Sequence, residues 1–370
     1  MNKVKFIIAI VVMILLFGFV IFMNYDRIND FINNKQWEVV DSIATIYPNK
    51  YLQLESAGDK VLVIESDKIS AYGNSANSEY SLVTNYKEVV VDCSRDYAVV
   101  GENGGSKLML FNEKEKLWEF DTSGEILAVS VNKNGYVACV YSKSGYKSLI
   151  KVIKPNGEEM FTNYLASTYA IDAEISNDNK YLAIAEVNAE GINMESDVKI
   201  VDMNNTTESA VRTIDLESDT LILDMEYNDK NELLVLEDSR IEKISSSYEK
   251  SLIREYRANA VSHVTIENGN NAIVTEKNDT TIFSTEYVLK IYDDAGSDPK
   301  EYVLSGSPKI VHAQGKSICA DVGNEVLFLN TNGKLLKRCK LDGQLRDVKF
   351  YANGSMAALV FRDRIEIIKL

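Results

Sequence analysis

The pattern of apolar and polar positions divides the chain into two unlike parts. Residues 6–23 (FIIAIVVMILLFGFVIFM) contain no charged or strongly polar side chain. From Trp37 onwards, short apolar runs instead alternate with clusters of Asn, Asp, Gly and Ser. Runs of that length, bounded by turn-forming residues, are typical of antiparallel β-strands. The pattern predicts one N-terminal helix followed by an all-β domain.

The apolar run at residues 6–23 has the length of a membrane-spanning helix. At about 1.5 Å of rise per residue it nearly crosses a hydrocarbon core of roughly 30 Å, and flanking residues complete the span. A cleavable signal peptide is the alternative, but such a peptide has a shorter apolar stretch and small residues at its cleavage site. Here the run ends in Met23-Asn24-Tyr25-Asp26, and no cysteine for lipid attachment lies nearby. We therefore expect the helix to be retained as an anchor.

Charges on either side of this helix predict its orientation. Lys3 and Lys5 precede it, whereas Asp26, Arg27 and Asp30 follow it. Because positively charged flanks stay in the cytoplasm, we expect the short N-terminus there and the β domain on the other side of the cell membrane. The predicted organisation is a cytoplasmic N-terminus at residues 1–5, the membrane helix at 6–23, a juxtamembrane linker at 24–36 and an extracytoplasmic domain at 37–370.

The β domain is built from a repeated unit. A first strand, a turn and a very apolar second strand recur, as in EVVVDCSRD-YAVVG from Glu88 and AIDAEISNDNK-YLAIAEV from Ala170, and two further strands follow. The first strands begin near positions 51, 88, 126, 170, 221, 260, 309 and 345. An interval of about 40 residues is the length of a four-stranded propeller blade. We predict a β-propeller of eight blades, with seven as the alternative.

The two ends of the repeat region complement each other. The eighth unit stops at Leu370 after three strands, and an unmatched strand, WEVVDSIATI from Trp37, precedes the first unit. An open sheet edge tends to pair with other chains. We therefore predict that the strand at residues 37–46 becomes the fourth strand of the last blade and closes the ring.

Two blades resemble repeats of the quinoprotein-type propeller family. In LFLNTNGKLLKRCKLDG, Gly333 keeps the glycine of that family and Lys337 stands in place of its tryptophan; in LFNEKEKLWEFDTSG, Trp118 keeps the tryptophan and Lys114 replaces the glycine. The whole layout is similar to that of bacterial proteins that join one membrane helix to an external propeller with PQQ-like repeats. This resemblance supports the fold more than any particular activity.

No enzymatic motif accompanies the repeats. The resemblance implies that a quinone-dependent dehydrogenase of this fold would be larger, with an inserted set of metal ligands and a vicinal disulfide, but no Cys-Cys pair occurs here. Motifs of hydrolases, zinc proteases and nucleotide-binding proteins are also missing from the sequence. We predict a non-enzymatic protein with no cofactor, no catalytic residue and no metal ligand.

Composition narrows the class of partner. The chain carries 40 Lys and Arg against 55 Asp and Glu, a formal net charge of −15. Nucleic acid and anionic lipid headgroups are excluded as principal partners because this charge would repel them. The four cysteines, Cys93, Cys139, Cys319 and Cys339, lie in apolar runs without metal-ligand spacing. We expect buried free thiols, with a disulfide as the alternative.

Two further features could bind metal, and both have a simpler explanation. His263 and His312 fall in predicted first strands, which line the channel of a propeller, but a lone strand histidine is usually satisfied by its neighbours. The turns SNDNK at residues 176–180 and YDDAGSD at 292–298 are acidic enough to suggest calcium. Asn, Asp and Gly are also the residues that hairpin turns require.

A candidate binding site lies on two long loops that join second to third strands, at residues 187–197 and 277–286. In a four-stranded meander these loops share one face and would flank blade five. Apolar residues in otherwise polar loops are typical of an interaction site. The alternative is that the loop tips fold back onto blade five. The predicted contact residues are Ile192, Met194, Glu195, Ile282 and Phe283.

Two functions from different classes follow from this sequence. The first is a binding or scaffolding module in the cell envelope, which presents loops to a protein or polysaccharide partner. The second is a degenerate enzyme or small-molecule sensor that uses the central channel. Charged residues converging in the channel would favour the second function, and an apolar patch on one face would favour the first.

Overall fold

The computed structural model describes residue 13 and residues 38–44, 52–75, 77–189, 195–205, 211–216, 220–256, 261–267, 271–281, 284–352 and 354–370. Apart from Met13, the predicted membrane span at 6–23 lies outside these ranges. Within them, no helix is long and apolar enough to cross a membrane.

The described strands form eight antiparallel sheets of four strands each. The first strands are β2 (Leu52–Ala57), β6 (Val89–Ser94), β10 (Ile126–Val131), β14 (Tyr169–Ile175), β18 (Ile222–Tyr227), β22 (Val261–Glu267), β26 (Ile310–Gln314) and β30 (Asp347–Phe350). The second strands are β3 (Lys60–Glu65), β7 (Tyr97–Glu102), β11 (Val137–Tyr141), β15 (Tyr181–Asn188), β19 (Leu233–Glu237), β23 (Asn271–Thr281), β27 (Ser317–Asp321) and β31 (Met356–Val360). The third strands are β4 (Lys68–Tyr72), β8 (Lys107–Asn112), β12 (Ser148–Ile153), β16 (Glu195–Asp202), β20 (Arg240–Ile244), β24 (Ser284–Asp293), β28 (Glu325–Asn330) and β32 (Arg364–Lys369). The fourth strands are β5 (Ser78–Val83), β9 (Lys116–Asp121), β13 (Glu159–Leu165), β17 (Val211–Asp215), β21 (Lys250–Glu255), β25 (Lys300–Leu304), β29 (Leu335–Lys340) and, in the last sheet, β1 (Glu38–Ala44).

The eight sheets are the blades of a propeller. Each first strand contacts the first strands of the neighbouring sheets, from β2 through β30 and back to β2, so the first strands enclose a central channel. The prediction of an all-β, eight-bladed propeller is confirmed, and every predicted first strand begins within two residues of the observed one.

The core lies between blades rather than within them. Every residue of β11 and of β19 is buried, as expected for strands covered on both faces. One inter-blade cluster joins Val140 and Val152 of blade three to Leu182 and Ile184 of blade four. Because each blade covers its neighbour in this way, stability depends on an unbroken ring.

The disc has two faces. The turns between first and second strands lie on one, here called the turn face; the turns between second and third strands and the blade-to-blade connections lie on the other, the linker face. The turn-face turns need a left-handed residue, and Gly135, Asn179 and Asn231 supply it with φ of 77°, 60° and 58°. This requirement explains the Asn and Gly that punctuate the repeats.

The strand before the first unit lies in the last blade. β1 pairs antiparallel with β32, with Glu38 opposite Lys369 at the turn face and Ala44 opposite Arg364 at the linker face. Its Ile43 packs against the core shared by blades eight and one, which includes Leu54 and Ile365. The chain therefore enters the propeller at the turn face.

All four cysteines are free thiols. Cys139, Cys319 and Cys339 are buried, as predicted, whereas Cys93 is only half-buried and lines the channel.

Candidate binding surface and central channel

Of the five predicted contact residues, the structure describes one. Glu195 is the exposed first residue of β16 and pairs with Asn188 of β15. Ile192, Met194, Ile282 and Phe283 lie outside the described residues.

The segment predicted as the second long loop, residues 277–286, is mostly strand. β23 continues to Thr281 and β24 starts at Ser284, so the two strands form a long hairpin. The last residue of β25, Leu304, lies opposite Tyr287 of β24. β23 and β24 remain paired beyond this point, so their hairpin projects from the linker face. The local propensity of the Thr residues for extended structure explains why this segment stays paired.

Three exposed aliphatic residues lie at the linker-face rim of the channel. Leu127, Ile171 and Leu223 are 44%, 42% and 49% exposed. Each is skipped in the pairing of its first strand with the second strand, and is therefore the extra residue of a β-bulge. A bulge turns a side chain out of the regular alternation, and here it turns an aliphatic side chain towards solvent in three successive blades.

Tyrosines extend this apolar rim outwards across blades three and four. Tyr146 and Tyr164 pack against each other with ring centroids 5.1 Å apart, and both are about half exposed. Tyr169, at the start of β14, receives a hydrogen bond from Lys147 Nζ (3.2 Å). These six residues, Leu127, Tyr146, Tyr164, Tyr169, Ile171 and Leu223, are called the linker-face patch below.

Sequence reasoning missed this patch because the first strands were interpreted as regular. The signal was present as consecutive apolar residues at the strand starts, in ILAV at 126–129, AIDA at 170–173 and ILDM at 222–225. In a regular strand one residue of each pair would face inwards. Here both residues of each pair are apolar, and the bulge exposes the second residue to solvent.

The central channel is lined by ionisable side chains from the first strands. Its inner cavity has a volume of about 270 Å³. The ionisable residues lining it are Glu55, Asp92, Glu174, Asp224, Glu226, His312 and Lys349, together with Cys93. On the turn face the channel widens into a cavity of about 640 Å³, where Lys133 Nζ lies 3.3 Å from Asp229 Oδ1.

Carboxylates outnumber cations in the inner cavity. The described residues that line this cavity include one lysine, Lys349. The Nζ atom of Lys349 lies 3.1 Å from Glu55 Oε2. Glu174 has no such cationic partner in the described part of the chain. The negative charge of the other wall residues is therefore not neutralised by Lys349.

Burial and mutual repulsion favour protonation of these carboxyl groups. Asp172 precedes Glu174 by two residues on β14. Burial raises the pKa of Asp172 to about 6. Burial, and then the charges of Asp172 and Asp92, raise the pKa of Glu174 well above its ordinary value. Burial also raises the pKa of Asp92 to about 8, against a hydrogen bond from the Val131 N–H (2.7 Å) that favours the charged form.

His312 faces the same cavity as a neutral imidazole. Burial, with a further contribution from the charge of Lys349, lowers its pKa well below the ordinary value. The ring stacks on Phe350 with centroids 5.6 Å apart. Its Nε2 is buried and has no hydrogen-bond partner among the described residues. The side chain of His263 lies outside the described part of the structure.

The two acidic turns have structural roles. In SNDNK, Asp178 Oδ1 accepts hydrogen bonds from the Ser176 hydroxyl (2.7 Å) and the Lys180 N–H (3.2 Å). In YDDAGSD, Asp293 Oδ1 accepts from the N–H groups of Ala295 and Ser297. Across the described residues, no three His, Cys, Asp or Glu side chains converge closely enough to hold a metal ion.

Comparison with protein families places the domain. Residues 33–370 match a family described as a family of unknown function, DUF5711. The chain belongs to this family. No curated protein matches the chain in sequence.

Solved structures that resemble this chain are propellers. BamB from Moraxella catarrhalis aligns with a TM-score of 0.56 and 13% identity over 90% of this chain and 100% of its own. The C-terminal WD40 domain of Sif2 gives 0.57 and 11% over 91% and 97%. Apo AztD from Citrobacter koseri gives 0.51 and 11% over 79% and 87%. At these identities the likeness supports the propeller fold and transfers no activity to this chain.

Proposed function

We propose that this protein is a non-enzymatic, membrane-anchored propeller that acts as a binding or scaffolding module in the cell envelope. Residues 6–23 form its anchor in the lipid bilayer, and its partner is an envelope protein or polysaccharide. The observation that supports this function most strongly is the linker-face patch, because exposed aliphatic and aromatic side chains clustered on one face usually mark an interaction site.

The β-bulges indicate that the exposure of the aliphatic residues in the linker-face patch is not accidental. A bulge interrupts the hydrogen-bond ladder, and bulges concentrate where a protein re-aims a side chain for function. Three successive blades use the same irregularity to expose Leu127, Ile171 and Leu223. In sequence, Ile192 and Met194 fall between β15 and β16, and Ile282 and Phe283 fall between β23 and β24. Connections between second and third strands lie on the linker face, so these four residues are candidates for the same surface.

The path of the chain favours presentation of this face to a partner. β1 enters the disc at the turn face, so the anchor and its linker at 24–36 join the propeller on the side opposite the patch. A short linker then holds the turn face towards the membrane. In this arrangement the linker-face patch points away from the bilayer and into the envelope.

Substitution of the bulged residues tests the binding surface. Full-length protein carrying Leu127→Ser, Ile171→Ser and Leu223→Ser is crosslinked in native membranes and recovered. We expect at least about tenfold less partner than with the wild type, because a few residues at the centre of an interface carry most of its binding energy. The Tm should change by no more than about 2 °C because the side chains are exposed.

A matched variant provides the control. Leu252→Ser, Val303→Ser and Leu336→Ser remove three aliphatic side chains of similar exposure, 52%, 53% and 51%, from fourth strands. This variant should recover the partner normally. Equal recovery by both variants, or equal loss, would place the binding site elsewhere.

A second candidate function has its own support. The acidic channel, with carboxyl groups whose pKa values are raised by burial, is the arrangement expected of a site that takes up a ligand. A small-molecule sensor that uses the channel is therefore compatible with a scaffolding surface on the linker face.

A further inference from the structure

We propose that the linker-face patch binds a basic amphipathic helix of an envelope protein, which places its apolar stripe on the patch and its Lys or Arg side chains against the neighbouring carboxylates. This inference rests on the proposed binding function and deepens it by naming the class of partner. Three features support it: the length of the patch, its aromatic rings and a row of like charges beside it.

The three bulged residues form the long dimension of the patch. Leu127, Ile171 and Leu223 occupy the bulge position in three successive blades. Facing sheets pack about 10 Å apart, so the three side chains extend over no more than about 20 Å of the channel rim. About 14 residues of α-helix rise through the same length. One apolar stripe of an amphipathic helix can therefore contact all three blades.

Other protein occupants fit this surface less well. A partner strand gains its affinity by pairing with one continuous sheet edge, but the patch consists of side chains from separate sheets. A second copy of this chain is excluded by the proposed anchoring. With the turn face held towards the membrane, the linker faces of two copies in one bilayer point the same way and cannot meet.

The tyrosines of the patch offer ring faces to cations. Lys147 Nζ lies 4.9 Å from the centre of the Tyr169 ring and 3.2 Å from its hydroxyl oxygen. Tyr146 and Tyr164 each leave about half of the side chain exposed. An ammonium or guanidinium group is attracted to the face of such a ring. Lys147 therefore makes, within the chain, the contact that basic residues of a partner would make with the other two rings.

A row of carboxylates borders the patch on blade four. Glu186 of β15 lies opposite Asp197 of β16, which in turn lies opposite Asp215 of β17. These three residues are called the acidic ladder below. The Thr168 hydroxyl, next in sequence to Tyr169, donates a hydrogen bond to Glu186 Oε2 at 2.9 Å. The inner end of the acidic ladder therefore adjoins the patch.

The acidic ladder is unfavourable in the unbound domain. Like charges directly opposite each other on neighbouring strands destabilise a sheet. Burial, and then the charge of Asp215, raise the pKa of Asp197, and the charge of Glu186 raises it further. Asp215 is exposed and Asp197 is half-buried, so a cation of a partner can reach both.

Two lysines contact the acidic ladder without offsetting this repulsion. Lys199 pairs with Glu186. Lys250 of β21 donates a hydrogen bond to the carbonyl oxygen of Asp215 (3.0 Å) and also pairs with a glutamate of its own blade. The pKa of Asp197 is raised all the same. A bound Lys or Arg would relieve the repulsion, whereas an anionic polymer would add to it.

Site-specific crosslinking in native membranes identifies the occupant. A photo-crosslinking residue is placed at position 223 of the full-length protein, and the crosslinked fragment is sequenced by mass spectrometry. We expect a segment of about 14 residues or more with apolar residues at helical spacing and Lys or Arg beside them. The proposal would be overturned by a crosslinked glycan, by a segment without the apolar stripe or the basic residues, or by no crosslink at all.

Neutralising the acidic ladder tests the charge complementarity. Full-length Asp197→Asn with Asp215→Asn should recover about tenfold less partner, because opposite charges across the interface are lost. Its Tm should not fall, because the substitutions remove a repulsive pair. Raising NaCl from about 50 to 500 mM should weaken wild-type recovery as well. The control is Glu115→Gln with Glu249→Gln, which removes two exposed charges from turns that join third to fourth strands and should leave recovery normal.

Exchange of charge gives a second measurement. Asp215→Lys should abolish recovery, and replacing a basic residue of the crosslinked segment with Glu should restore it. If no such replacement restores recovery, the charge pairing is wrong.

Failure of this proposal and failure of the binding surface are distinguishable. Normal recovery by the Asp197→Asn, Asp215→Asn variant, together with loss in the triple Ser variant of the bulged residues, would keep the surface and overturn the basic helix. Normal recovery by both variants would overturn both.

Discussion

Deletion of residues 38–44 is expected to lower the Tm of the domain by about 10 °C or more, or to make it aggregate. These residues form β1, which occupies the outer position of the last blade and pairs with β32 along its length. Without β1, the backbone of β32 becomes an open edge. The deletion also removes Ile43 from the core between blades eight and one, where Ile365 and Ile367 are fully buried.

The large expected fall in Tm follows from the closed ring of blades, in which each blade packs against two neighbours. Each inter-blade core has a neighbour on both sides, so a loosened blade weakens two interfaces at once. A matched deletion of seven residues from the linker, 27–33, shortens the tether by the same length and leaves β1 in place. Its Tm should stay within about 2 °C of the wild type. Similar melting of the two deletions would show that β1 contributes little to closure.

Lowering the pH from 8 to about 5.5 is expected to stabilise the domain. Buried carboxyl groups in the channel wall and next to it have raised pKa values in the folded state, about 8 for Asp92 and about 6 for Asp172, against about 4 in an unfolded chain. Between those values the folded protein binds more protons than the unfolded protein. Its free energy of unfolding therefore falls as pH rises through this window.

Other buried groups have smaller or opposite effects. Burial raises the pKa of Glu237 to about 7, which adds to the same trend. The lowered pKa of His312 acts the other way, because unfolding lets this imidazole take up a proton below about pH 6.5. The effect of several carboxyl groups with raised pKa values outweighs that of one imidazole with a lowered pKa. The Tm should therefore rise as the pH falls.

The double variant Asp172→Asn with Glu174→Gln isolates the channel contribution. For Asp172 alone, a pKa raised from 3.8 to about 6 corresponds to roughly 3 kcal/mol of lost stability at pH 8. We expect this variant to melt about 5 °C above the wild type at pH 8 and to show a shallower pH dependence. Glu249→Gln should follow the wild type. A wild-type Tm that rises between pH 5.5 and pH 8, or a destabilised double variant, would contradict this account of the channel.

The fold could be predicted from sequence because its periodicity is strong. Eight apolar second strands, each followed by turn residues, set the blade length, and the missing strand at Leu370 was matched by the extra one at Trp37. The turns could also be predicted, because the left-handed backbone at positions 179 and 231 favours asparagine, the residue type found at both. These features depend on neighbours in sequence, which a single chain displays.

The functional surfaces were harder to predict because they depend on register and closure. Leu127, Ile171 and Leu223 are exposed only because each first strand contains a bulge, and no residue type marks a bulge without its partner strand. The acidic channel was visible as DAE at 172–174 and DME at 224–226. Its importance appears only when the ring brings Asp92 and Glu174 to one cavity. The prediction of contact residues at loop tips remains a prediction.

Protease accessibility in wall-stripped intact cells tests the central claim most directly, namely that the propeller is anchored outside the cytoplasm. Lys3 and Lys5 ahead of the apolar run motivate this orientation. Added protease should cut the linker at 24–36 and release or degrade the domain, leaving a membrane stub, while a cytoplasmic marker protein stays intact. Protection of the propeller until the cells are lysed would place it in the cytoplasm and contradict the account.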